Sequence, residues 1–299
     1  LNSSIAITLP PGRRAGRPLK IPFGALPVPG LLLVVFGLIF PLLLMARYSV
    51  AIYNPADIIA EGLTLDNYLR FLSEPFYREV LARTVLVAAL TTFFCLILGV
   101  PAAYVISRTR SPKLRTILIL CSIIPLLMGN AVRVAGWMVL LADRGLANET
   151  LMFLNIIDAP VRIMYTLTAV LLSLVAVLLP FMIITLQSVF DRIDGSYEEA
   201  AATLGARPWT AFLKVFVPLA MPGIFSGGLL VFILSMNAYA SPVLLGGPSF
   251  HMMAPMVYEQ AIRVFNWPFA ASLAFVLMLA TLLLTVVSSV LLQKKYGRM

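Results

Sequence analysis

Charge is scarce in this chain. Asp, Glu, Lys and Arg make up only 12% of its 299 residues, about half the share of a soluble domain. A surface that poor in charge must face lipid over most of its area. His251 is the single histidine. No serine, cysteine or carboxylate arrangement surrounds it, so it offers no catalytic centre and reads as a solvated loop residue. Both cysteines, Cys95 and Cys121, lie inside apolar runs. They supply neither a zinc site nor a disulfide framework and read as small buried hydrophobes. No GxxxxGK[ST] phosphate loop occurs, so the chain does not hold ATP by that device. The alternation of a β-barrel, low-complexity tracts and short solenoid repeats are missing too.

Long hydrophobic runs take their place. Apolar residues make up 61% of the sequence, and mean hydropathy is +0.97. Six runs are candidate spans: Val28–Met45, Val85–Ile106, Ile117–Leu141, Tyr165–Val189, Leu219–Ala240 and Phe269–Leu292. Backbone groups in lipid must be satisfied internally, so these runs predict helices. The reading is an all-α integral membrane protein. A basic segment, residues 1–27, precedes an uncleaved first span. A six-span domain follows over 28–292, and residues 293–299 form a tail.

Formal net charge is +9. A soluble protein with that charge invites nucleic acid; here the basic residues cluster between spans. Segments 1–27, 107–116, 190–218 and 293–299 hold fourteen Lys and Arg against four acids. The positive-inside rule places them, and both termini, in the cytoplasm. On the other side, TLDNYLRFL reads as a short amphipathic helix capped by Thr64 or Asp66.

The cytoplasmic stretch GSYEEAAATLGARPWTAFLKVFVPLAMPG (195–223) is built differently from its surroundings. Ser196 precedes Glu199 by three positions, the spacing of a capping box. Glu198 and Glu199 suit a helix N-terminus. Being adjacent, they point about 100° apart and form no acid–base pair. Ala200, Ala201 and Ala202 favour helix and leave a smooth face. Leu204 closes the helix, and Gly205 can turn left-handed to end it. Pro208 suits the first position of a second short helix, which runs to Pro218. A small-residue face docks into a partner's groove better than it inserts into lipid.

Ionisable and polar groups within spans point either to a pathway or to structural roles, with Arg133 snorkelling to the outer interface and Asn237 bonding a neighbouring helix. Asn130, Arg133 and Trp137 share one face of the third span. Ser235, Asn237 and Tyr239 lie near the outer end of the fifth. No acid is centred in any span. Small residues in the fifth span (Ser226, Gly227, Gly228) and the sixth (Ala270, Ala271, Ser272, Ala274) permit close helix packing.

EEAAATLGA, followed by a Lys-bearing helix and VPLAMPGI, resembles the EAA loop of permease subunits in bacterial ABC importers, the binding-protein-dependent transport family. Glu199, Ala200, Ala201 and Gly205 occupy the motif positions, with Pro218 and Gly223 after them. LTLDNYLRFL, RVAGW with MVLLADRGLANETL, and SPVLLGG followed by VYEQ are similar to the spermidine/putrescine-type branch. That branch often shows RTYAW where this chain has RVAGW, and some members carry an acid where Ala238 stands.

The resemblance implies a type I importer permease fold. The 190–218 loop becomes a coupling loop, with Glu198, Glu199, Ala200, Ala201, Leu204, Gly205 and Ala206 docking into an ATPase subunit. It implies two such ATPase subunits, which hold the ATP and Mg while this chain carries no cofactor. It also implies a second six-span permease, usually a different chain, and a periplasmic solute-binding protein, but no nucleic-acid partner. The implied activity is import of a polyamine-like or related small organic amine by a subunit that is not itself an enzyme. The alternatives are an ion-gradient-driven secondary transporter or channel, or a membrane scaffold.

Overall fold

The computed structural model describes residues 28–54 and 58–296. The basic segment 1–27 and the last three residues of the expected tail lie outside them. The chain divides into two compact units, Leu1–Met45 and Ala46–Met299. In the first, the apolar run forms most of helix α1 (Val28–Ser49), which has Pro41 inside it and no charge before Arg47.

The second unit opens with a feature the hydropathy reading lacks, an antiparallel hairpin of β1 (Ala51–Asn54) and β2 (Ile58–Leu63) with Tyr53 opposite Ile59. The fold is therefore mostly helical rather than purely so. Helix α2 (Asp66–Ser73) follows, its first amide held by the Thr64 hydroxyl at 3.1 Å. Asn67 of α2 donates to the carbonyls of Ser49 and Ala51, and so ties the hairpin down.

Then come α3 (Pro75–Arg108), α4 (Pro112–Leu127), α5 (Asn130–Leu141), α6 (Leu146–Phe153) and α7 (Leu167–Phe190). Short helices α8 (Ser196–Thr203) and α9 (Pro208–Ala211) lead through a π-helical turn, Phe212–Phe216, into α10 (Val217–Met236). A second π-helical turn, Pro242–Gly246, precedes α11 (Met253–Tyr258). A third, Glu259–Arg263, precedes α12 (Trp267–Tyr296).

Among the described residues five helices are long and apolar enough to cross a bilayer, six if one bent pair counts as a span. The bent pair corrects the expected third span. Ile117–Leu141 is not one rod: it breaks at Met128 and Gly129, and its halves meet at 97°. Pro125 cannot donate to the preceding turn, and both break residues adopt extended backbone. The fifth span is shifted as well. It runs from Pro208 to Met236 without interruption, so the second short helix of the loop is its beginning. Cys95 is buried as expected, but Cys121 is exposed on α4.

Helices α3, α7 and α10 pack together around Val87, Leu174, Met182, Leu186, Phe216 and Val231. Glycines let them approach. A Cβ on Gly99 would lie 2.6 Å from Met182 Cγ, and one on Gly227 would lie 3.0 Å from its sulfur. A Cβ on Gly223 would meet Val189 Cγ1 at 2.6 Å, and Val189 is β-branched and cannot swing aside. Gly223→Val is expected to cost about 1–3 kcal/mol of overpacking strain. It should lower the thermal midpoint of the detergent-solubilised protein. Gly228→Ala, whose Cβ finds ordinary contacts at 3.7 Å or more, should not.

Candidate functional site

The loop between α7 and α10 is a helix, a glycine corner and a helix start. Its hydrogen bonds explain most of its sequence. Gly205 has φ +82°, a conformation that costs any L side chain. The Gly205 amide donates to the carbonyl of Ala202, and the Ala206 amide to that of Ala201. This 5→2 and 6→1 pair is a Schellman closure. Ala201 and Ala206 are therefore the two small residues at its crossing. Pro208 opens α9 at its first position, as expected.

The start of α8 differs from the expected capping box. Gly195 occupies the cap position in right-handed helical conformation, with no side-chain capping bond from that position. The Ser196 amide donates instead to Asp194 Oδ1 at 2.9 Å. A serine already inside the helical turn cannot reach back over its own N-terminus. The bonds from the Ser196 amide and hydroxyl hold the Asp194 carboxyl below its ordinary range. Such a cap is complete above the ordinary carboxylate pKa and is lost as pH falls through the lowered value. Asp194→Ala should fray α8, seen as faster amide hydrogen exchange at Ser196–Glu199 near neutral pH.

The two adjacent glutamates have different surroundings. Glu198 points into the protein. Its carboxylate accepts from the Tyr104 hydroxyl at 2.7 Å and from Arg108 Nε at 2.8 Å. Arg108 Nη2 lies 2.7 Å from the same carboxylate, and Arg108 Nη1 donates to the Ile193 carbonyl. The pair is largely covered, with side-chain exposures of 23% for Arg108 and 15% for Glu198. The Arg108 guanidinium also lies over the Phe216 ring, 5.1 Å from its centroid. Tyr104 packs edge-on against Phe212 and Phe216, and Trp209 stacks on Phe212. Nearby, Arg115 of α4 pairs with Asp191 at the end of α7. The C-terminal end of α3 thus holds α8 by charge and the π-helical turn after α9 by aromatic packing.

The outer face of the corner is bare. Glu199 and Ala200 are exposed, Leu204 is 89% exposed and Trp209 is 70% exposed. Tyr104 and Arg108 are the residues of this candidate site that sequence reasoning missed. Four basic residues crowd the 107–116 segment, and nothing local singles out Arg108.

The polar residues expected along a pathway do not converge on one point. Asn130 is exposed at the start of α5. Arg133 donates from Nη1 to the Val177 carbonyl at 3.3 Å, and its buried Nε finds no partner. Trp137 packs against the core. Ser235 is buried with an unpartnered hydroxyl. Asn237 donates to the Ile233 carbonyl and borders an apolar groove between α10 and α12. Tyr239 lines a separate cavity of about 400 Å³, together with Met138, Tyr258, Glu259 and His251. His251 is half-buried and stands edge-on to Phe76.

The SPVLLGG segment is locked beside that cavity. Ser173 and Ser241 share a buried hydroxyl–hydroxyl bond of 2.9 Å. The Tyr165 amide donates to the Leu245 carbonyl. Gly247, at φ +70°, leaves room for the Tyr165 ring, whose Cδ1 would lie 2.4 Å from a Cβ there.

Residues 95–295 match a family model described as the binding-protein-dependent transport system inner membrane component. The chain belongs to this family. It is accordingly a multi-pass protein of the inner membrane. It is 35% identical over 265 residues to the spermidine/putrescine transport system permease protein PotB of Escherichia coli K12, covering 88% of this chain and 96% of that protein. PotB of Haemophilus influenzae is 32% identical over 252 residues, covering 84% of this chain and 87% of that protein. Among solved structures, a chain of a bacterial alginate ABC transporter, in complex with an alginate pentasaccharide-bound periplasmic protein, superposes with TM-score 0.77. That match covers 91% of this chain and 94% of the other at 13% identity, so it speaks for the fold alone.

Proposed function

We propose that this chain is the permease subunit of an ATP-driven importer that passes a small organic amine of the spermidine/putrescine kind into the cytoplasm. One observation carries the reading. The corner between α8 and α9 is pinned from inside by Tyr104 and Arg108, while its outer face, Leu204 and Trp209, is bare. A motif fastened to the membrane helices on one side and unpartnered on the other is built to transmit force from a docked protein.

In this reading six spans cross the membrane, with the bent α4–α5 pair as the third and both termini cytoplasmic. Two ATPase subunits hold ATP and Mg and receive the coupling corners, one from this chain and one from a second, different permease. A periplasmic binding protein delivers the solute. ATP binding draws the corners together, and the spans reorient from inward-facing to outward-facing. Glu199, exposed beside the corner, is free to pair with a basic group of the ATPase. The names of the PotB relatives support the amine.

The test is purification in mild detergent from the native membrane, with partners identified by mass spectrometry, followed by uptake in liposomes. A P-loop ATPase, a second permease and ATP-dependent uptake are expected. Recovery of this chain alone from active membranes, with uptake that collapses under a protonophore, would overturn the reading in favour of a gradient-driven transporter.

A further inference from the structure

The cavity of about 400 Å³ that holds Tyr239 has walls of an uncommon kind. Residues from two π-helical turns, Pro242–Gly246 and Glu259–Arg263, line it. Such turns are rare and frequently found at functional sites. In the second turn the Val264 amide bonds five residues back to the Glu259 carbonyl, and both Glu259 and Arg263 line the cavity.

Among the described residues the Glu259 carboxylate forms no ion pair. The side-chain ion pairs among them are Arg70–Glu74, Arg108–Glu198 and Arg115–Asp191. Glu259 enters none of them, although Arg263 is four residues away on the same turn. The rings around it divide into two groups. Phe250 already faces Arg83, and Tyr165 already faces Arg162. Tyr239 and Tyr258 lie 4.9 Å apart and hydrogen-bond each other; the Arg263 charge reaches Tyr239, but among the described residues no cation stands over the face of either ring. Both residues are exposed, at 38% and 43%. An aromatic face carries negative potential and attracts cations, alkylammonium groups above all. A carboxylate outside any ion pair beside two uncovered rings therefore matches a cation. Arg263 makes the same cavity a poor host for a second protein cation. The volume suits a small molecule.

We infer that Tyr239, Tyr258 and Glu259 form a binding site for an organic ammonium group on its way through this subunit. The inference rests on the importer reading and assigns the amine a place in this chain. Glu259 supplies the counter-charge and the hydrogen-bond acceptor, and the two tyrosines cover the carbons next to the nitrogen.

The experiment is uptake of labelled putrescine by the complete transporter in liposomes, at equal abundance of each variant. Glu259→Gln keeps the shape and removes the charge. It should raise KM for putrescine roughly tenfold or more, the worth of one charge-assisted contact. Tyr258→Leu should raise KM several-fold, and Tyr258→Phe, which keeps the ring, should raise it less. Arg263→Gln removes the repelling charge and should lower KM, an effect no merely structural role would produce. It also carries the test if Glu259→Gln fails to reach the membrane. A KM within about twofold of wild type in Glu259→Gln, or an unchanged or raised KM in Arg263→Gln, overturns the site. ATP-dependent uptake of some other solute with no putrescine uptake overturns the cation class while the importer reading stands. No ATP-dependent uptake of any solute means that the importer reading itself has failed.

Discussion

Arg108→Ala is expected to abolish ATP-coupled uptake while leaving the chain in the membrane. Arg108 makes three kinds of contact at once: two nitrogens on the Glu198 carboxylate, one bond to the Ile193 carbonyl, and a face over Phe216. Removing it strands a carboxylate that is only 15% exposed, with Tyr104 as its remaining partner. The loss of a charge-assisted bond in such a place is worth about 1.5–3 kcal/mol. That is a modest part of the stability of a helical bundle held by α3, α7 and α10, so the protein should still insert and fold. It is a large part of what holds the eight residues of α8 in place. Arg108→Lys restores the charge but not the forked geometry and should recover uptake only in part. Glu198→Gln should behave like Arg108→Ala, and Glu199→Gln should not weaken α8. The measurement is ATP hydrolysis beside uptake in liposomes, where the expected signature is hydrolysis without transport. Wild-type uptake in Arg108→Ala would show that the tie between α3 and α8 plays no part in coupling.

Leu204→Glu is expected to have the opposite profile, with no effect on stability and a severe effect on assembly. Leu204 is 89% exposed, so its loss costs the isolated chain nothing. As the apolar tip of a docked corner it would be the kind of anchor that dominates an interface, where truncation costs about 2–4 kcal/mol. Burying a glutamate in the same place costs more. Affinity for the ATPase subunit should fall by roughly a hundredfold or more. Co-purification of the ATPase in mild detergent would read this directly, with the thermal midpoint of the purified chain as the control. Undiminished co-purification would remove Leu204 from the interface and leave Trp209 and Tyr197 as the exposed anchors to examine.

The helix–glycine–helix corner was legible in the sequence because its parts are local. A glycine at a helix end, a proline at a helix start and small residues between them act over a few positions. The tie that holds the corner was not. Glu198 and Glu199 are the same residue type side by side, and only the approach of Arg108, 90 positions earlier, tells them apart. The expected capping box failed for a similar reason. The spacing was right, but the helical turn starts earlier, at Gly195, and Asp194 holds the first amide.

The spans were legible wherever hydropathy runs unbroken, as in α7, whose bounds lie within two residues of those expected. They failed where the backbone departs from a straight rod. Hydropathy averages across Met128 and Gly129 and cannot see a bend. Nor does it register the π-helical turns, which leave composition unchanged. The cavity beside Tyr239 was invisible for that reason, since the turns carrying Glu259 and Pro242 help to form its walls. Cys121 shows the same limit, because an apolar run does not say which of its faces meets protein.

The continuity of α9 with α10 has a mechanical consequence. From Pro208 to Met236 the chain is helical for 29 residues, about 43 Å at 1.5 Å per residue. The Gly205 corner and the Asn237–Tyr239 break therefore flank opposite ends of one helix, which could act as a lever. A tilt of about 5° pivoting at the corner would carry the far end roughly 4 Å, more than the length of a hydrogen bond. The π-helical turn at Phe212–Phe216 sits close to the driven end, next to the fulcrum that Tyr104 and Arg108 provide. Movement at one end would thereby be geared, through a single helix, to the residues that border the cavity at the other.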